Sequence, residues 1–158
     1  MINLVKAETA EEVRAILCDP ELFGRIAEDG AEENIPFDGH QCYMMIMVDG
    51  KAVGVWILYP VNRSTLNLHC NILCQFRHYG KEAGKLILEW FIDEGPEQYQ
   101  KLNAEIPVIY PEVYHFTKGF GFVDEGVNRQ SIMKNGKLED QIRLGITRDE
   151  IVKHLENM

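Results

Sequence analysis

The apolar residues of this chain change period across one eight-residue stretch, Arg77-His78-Tyr79-Gly80-Lys81-Glu82-Ala83-Gly84. Before it, Leu66 to Cys74 alternates as a strand does. Leu66, Leu68, Cys70, Ile72 and Cys74 share one face, and His69, Asn71, Leu73 and Gln75 share the other. After it, Ala83, Leu86, Ile87, Trp90 and Phe91 recur at helical spacing, on a helix that Gly95 ends. A strand that feeds a helix through closely spaced glycines is a junction suited to phosphate. The helix start exposes about four backbone N–H groups and carries roughly half a positive charge. Gly80 is expected to supply a tight turn there, and Gly84 to let a ligand approach the backbone.

The remaining punctuation is local. Ile2 to Val5 reads as a short strand. Thr9-Ala10-Glu11-Glu12 and Thr147-Arg148-Asp149-Glu150 have the form of capping boxes, opening helices to Leu17 and Leu155. Asp19-Pro20 restarts a helix that fades near Gly30. Ala31 to His40 reads as a loop. Asp49-Gly50 joins Tyr43–Val48 to Val53–Val61 in a hairpin, and Asn135-Gly136 joins a strand starting at Phe122-Val123 to Ile142–Ile146. Leu102 to Ile109 is a strand and Pro111 to Lys118 a short helix. The order β-αα-βββ-α-β-α-ββ-α is neither a plain βαβ alternation nor an all-β pattern.

The 158 residues fit one domain, residues 1–158, with a sizeable core. A net charge of −9 argues against nucleic acid and slightly favours a cationic partner. No apolar run approaches the roughly 20 residues needed to span a bilayer, and the first residues lack a signal-peptide stretch. The expectation is a cytoplasmic protein with reduced thiols at Cys18, Cys42, Cys70 and Cys74. His69 and Cys70 adjoin on opposite strand faces, so no metal site is expected there; the cysteines read as core thiols, and Met44, Met45 and Met47 as core or groove lining.

Two phosphate motifs do not apply. Three residues separate Gly80 from Gly84 and Leu86 follows Lys85, which excludes the nucleotide P-loop; the dinucleotide fingerprint needs its first two glycines one residue apart. The element order, together with Arg77-His78-Tyr79-Gly80-Lys81-Glu82 at the strand exit, instead resembles the GCN5-related N-acetyltransferase (GNAT) superfamily. That family holds the pyrophosphate of acetyl-CoA on a Q/R-x-x-G-x-G/A loop. His115-Phe116-Thr117-Lys118-Gly119-Phe120-Gly121-Phe122-Val123 is similar to its short helix and "GF" strand entry. Gly126 to Thr147 is similar to its closing hairpin.

The resemblance implies an α/β (α+β) fold: a mostly antiparallel mixed sheet of about seven strands, helices on both faces, and a cleft where the fourth and fifth strands splay. The acyl-pantetheine arm lies in that cleft. It implies acetyl-CoA as co-substrate, bound at Leu73, Cys74, Arg77, Tyr79, Gly80, Lys81, Glu82, Ala83 and Gly84, and N-acetyl transfer to a small-molecule or protein amine. A homodimer or assembly partner is compatible with it. So is an alternative role as a non-catalytic relative acting through partner binding, such as a phage assembly factor.

Two positions depart from the pattern. Glu82 stands where the loop asks for Gly or Ala; facing a phosphate about 5 Å away it would cost on the order of 3 kcal/mol at an effective dielectric near 20, and facing water almost nothing. Thr117 stands where many members place an acidic tyrosine. Tyr114, one helical turn earlier, and Tyr110 are the other proton-donor candidates. His69 and Glu105 are the candidates to take the proton that the attacking amine must lose.

Overall fold

The computed structural model describes residues 1–31 and 39–158, so most of the stretch read as a loop from Ala31 to His40 lies outside the described residues. The order is β1 (Ile2–Lys6), α1 (Ala10–Leu17), α2 (Pro20–Ile26), β2 (Cys42–Val48), β3 (Lys51–Pro60), β4 (Thr65–Ile72), a 3-10 helix (Cys74–Tyr79), α3 (Gly80–Asp93), β5 (Lys101–Pro107), α4 (Pro111–Lys118), β6 (Val123–Lys134), β7 (Lys137–Thr147) and α5 (Arg148–Glu156). Both capping boxes form, with Thr9 and Thr147 accepting from the amides of Glu12 and Glu150. At both hairpin tips the two turn residues adopt positive φ: Asp49 48° and Gly50 81°, Asn135 56° and Gly136 79°. That backbone matches the twist of the strands it joins.

Seven strands form one sheet in the order β1-β2-β3-β4-β5-β7-β6. Every neighbouring pair is antiparallel except β4 with β5. One face packs Trp56, Leu58, Leu66 and Leu68 against Ile87, Leu88 and Phe91 of α3 and Ile151 of α5. The other packs Tyr43, Met45 and Val55 against Val13, Ile16 and Leu17 of α1 and Leu22 of α2. Each such side chain contributes about 1.5–3 kcal/mol when fully buried. Among the described residues no helix is long and apolar enough to cross a membrane.

The β4–β5 seam is short. Only Thr65↔Lys101, Leu66↔Leu102 and Asn67↔Asn103 pair, although both strands run on, to Ile72 and Pro107. The splayed cleft expected between the fourth and fifth strands is therefore present. It also corrects one expectation. Cys70, read as a core thiol beside Leu68 and Ile72, is exposed, because β5 has diverged and no longer covers it. Nor does β4 extend to Cys74. Leu73 bonds through its N–H to Val53 O at 2.9 Å and turns the chain into the 3-10 helix, so Cys70 and Cys74 do not share a strand face.

Candidate active site

A cavity of about 470 Å³ occupies the splay. Leu68 to Ile72 of β4 and Ala104 to Pro107 of β5 form its long walls. Leu22, Arg25 and Ile26 of α2 close it on one side of the sheet; Gly80, Phe116 and Thr117 close it on the other. The gap thus gives access to the strands from both faces.

The glycine stretch is built differently from the expected turn. Tyr79 (φ −84°, ψ −3°) and Gly80 (φ −56°, ψ −40°) are both right-handed helical, and the Gly80 N–H bonds back to Arg77 O. The 3-10 helix therefore passes straight into α3. The glycines serve packing. A Cβ on Gly80 would lie 3.2 Å from the Phe116 ring, and one on Gly84 would lie 2.1 Å from Phe120 Cζ. Phe120 thus occupies the space that Gly84 was read as leaving for a ligand. Ala83 is fully buried in the core. Leu73 joins the α1/α2 cluster, and the Tyr79 ring packs beside Phe76 and His78. Lys81 and Glu82 are exposed and outside the cavity wall, so the Glu82 carboxylate faces water. Of the nine expected cofactor contacts, Arg77 and Gly80 line the cavity. The Arg77 guanidinium donates to Cys74 Sγ at 3.2 Å.

Of the proton-transfer candidates, His69, Glu105, Tyr110 and Thr117 line the cavity and Tyr114 does not. The Tyr114 hydroxyl donates to Asp124 Oδ2 at 2.8 Å, and that bond raises its pKa. Thr117 donates to Val113 O at 2.8 Å, so its proton is committed to the helix. Glu105 is engaged by Arg143, whose Nε and a terminal nitrogen lie 3.1 and 2.5 Å from Oε1. His69 stacks on Tyr59, ring centroids 5.4 Å apart, with Nε2 3.0 Å from the Tyr59 hydroxyl. Asn67 Nδ2 donates to the same hydroxyl oxygen at 3.0 Å. Burial holds His69 below its usual value of 6.5, and the Glu105 carboxylate opposes the shift. It is a neutral imidazole near pH 7.

Several wall residues could not be read from local pattern. Arg25 reaches from α2 to the Glu112 carboxylate at the start of α4, and its guanidinium lies 4.9 Å from the centre of the Tyr110 ring. Lys134, 3% exposed, donates to the carbonyls of Gly24, Arg25 and Ala27, closing the end of α2. The pairing Trp56↔Cys70 puts both residues in the wall. Among the described residues, Trp56 Nε1 and Asn103 Oδ1 are buried without hydrogen-bond partners. Trp56 is in the wall and Asn103 is in the last pair before the splay.

Strand order, the parallel β4–β5 pair and the splay define the fold of the GNAT acetyltransferases. Solved structures agree. A spermidine N-acetyltransferase from Vibrio cholerae in complex with CoA and spermine matches with a TM-score of 0.79 at 14% identity, over 96% of this chain and 98% of that one. A chimera of the Vibrio cholerae enzyme with hSSAT matches at 0.77 and 17% identity, with the same coverage. Mutant forms of the spermidine/spermine N-acetyltransferase from that organism match at 0.74 and 16%, over 96% of each chain. At these identities the likeness shows the fold. No family model matches the sequence, and no curated protein does.

Proposed function

We propose that residues 1–158 act as one domain, an acetyl-CoA-dependent N-acetyltransferase whose acceptor is a small-molecule amine. The observation that carries this is the splayed β4–β5 gap, a cavity with a neutral histidine in its wall, in a chain of acetyltransferase fold. The structural neighbours support it, since one is described in complex with CoA and spermine. A partner-binding role without catalysis, such as phage assembly, gains no support from neighbours that are enzymes.

The gap suits the co-substrate. Trp56, whose indole donor has no partner, lines it, and a pantetheine arm carries amide carbonyls that accept such a donor. Acetyl-CoA, when bound, supplies an acyl group activated as a thioester. Arg77 stands at the α3 end of the cavity, where a cation suits a diphosphate. His69, in the tautomer that donates Nε2–H to the Tyr59 hydroxyl, takes the proton of the attacking amine at Nδ1 as the N–C bond forms and the C–S bond breaks. Tyr59 and Asn67 fix its ring. Glu105, held by Arg143, keeps a negative charge near the imidazolium that results. The leaving thiolate needs no protein acid, because a thiol pKa near 8.5 lets it depart and take a proton from water.

The test is CoA release from acetyl-CoA and an amine panel, with calorimetry for acetyl-CoA binding. His69→Gln should lower kcat about 10²–10⁴-fold with acetyl-CoA affinity nearly unchanged. Failure of the wild-type protein to bind acetyl-CoA at millimolar concentration would overturn the proposal.

A further inference from the structure

We infer that the enzyme holds its donor by the pantetheine arm and takes little from the nucleotide diphosphate, so that acetyl thioesters of pantetheine without the nucleotide are donors in their own right. This rests on the acetyltransferase reading above and deepens it, to the chemistry of the acyl donor. A helix start binds a diphosphate when its first backbone amides are unbonded and open to solvent. Here the chain is right-handed helical from Cys74 to Asp93, through the 3-10 helix and into α3. The Gly80 N–H is already committed to Arg77 O, and the Phe76 N–H to Leu73 O at 2.8 Å. The first amides of the whole run are therefore those of Cys74 and Gln75, and neither residue lines the cavity.

Side chains add to the closure. Phe116 of α4 rests on the bare backbone of Gly80, and Phe120 on that of Gly84. Both rings line the cavity, so its α3 end is faced with aromatic carbon. Glu82, in the first turn of α3, is exposed and would repel a phosphate that came near. The cations around the junction, Lys51, Arg77, Lys81 and Lys85, are all exposed. Lys51 lies over the Phe76 ring, Arg77 donates to Cys74 Sγ, and Lys85 pairs with Glu89 at 3.7 Å. Residues 32–38 contain no lysine or arginine, so that segment brings no further cation. Exposed charges attract a diphosphate weakly and in a salt-dependent way. The pantetheine arm is better provided for. Among the described residues, the facing edges of β4 and β5 have no strand partner beyond Asn67 and Asn103. Their backbone groups border the cavity as they would border another strand, and an extended chain carrying amides pairs with such edges.

The experiment compares kcat/KM, by thiol release, for acetyl-CoA and S-acetylpantetheine with the best amine of the panel. The two donors should agree within about tenfold. A larger advantage for acetyl-CoA would overturn the inference and leave the transferase reading intact. Calorimetric dissociation constants for CoA and pantetheine should likewise agree within about tenfold, a comparison that needs no amine, and a wider gap in favour of CoA would overturn it too. ADP equimolar with acetyl-CoA at its KM should leave the rate unchanged; competitive inhibition there would show that the nucleotide has a site of its own and would also overturn the inference. Turnover of neither donor with any amine, together with no calorimetric binding of acetyl-CoA or pantetheine, would overturn both readings.

Discussion

Cys70 combines access with chemical inertness. It is open to solvent through the cavity, yet protein surrounds it closely enough that burial pushes its thiol from 9.0 to about 12. At pH 8 its thiolate fraction should fall below that of an ordinary cysteine, so iodoacetamide should modify it more slowly, as followed by mass spectrometry of the intact protein. The raised value means that the folded state keeps its proton longer than the unfolded chain does. This contribution to stability is complete below pH 9 and disappears as pH rises toward 12. His69 behaves oppositely. Its depressed value gives a contribution present above pH 6.5 and lost as pH falls through the folded-state value, and the acid limb of kcat should lie below 6.5. Gly84 supplies a third test. Gly84→Ala gains up to about 1 kcal/mol of helix propensity but drives a methyl into Phe120, so we expect a net loss of about 1–2 kcal/mol in urea denaturation. Phe120→Leu in the same chain should recover part of it.

At the scale of elements, the legible features were those fixed by neighbours in sequence. Thr9 and Thr147 reach only three residues ahead, and Asp49-Gly50 and Asn135-Gly136 need only positive φ, so caps and hairpins followed from composition at each point. The short helix from Pro111 to Lys118 was legible for the same reason. The start of α3 was not, because the packing of Phe116 and Phe120 on bare glycine backbone is decided by residues more than 30 positions away. His69, Glu105 and Thr117, named as proton-transfer candidates from their place on the strands and the family resemblance, line the cavity. Arg25, Tyr59 and Trp56 escaped because their roles depend on which elements stack. Lys134 joins the β6–β7 hairpin to α2, and Asp29 accepts from the amides of Asn135 and Gly136 at 3.0 and 2.7 Å on the same tip. Lys134→Met removes the donor from three carbonyls and should cost about 1–3 kcal/mol by chemical denaturation.

For the molecule as a whole, binding should be visible in the backbone. The edges of β4 and β5 that face the gap lack strand partners beyond Asn67 and Asn103. Hydrogen exchange should therefore be comparatively fast at the gap-facing amides of Leu68–Ile72, and acetyl-CoA should slow it there and around Arg77, leaving the distant β1–β2 pair unchanged.

The three-pair seam also has a mechanical consequence. It divides the sheet into a four-strand block and a three-strand block, stitched at one end and spread at the other like the legs of a clothes peg. A molecule lodged between the legs would act as a rivet, converting two loosely coupled blocks into one stiff body.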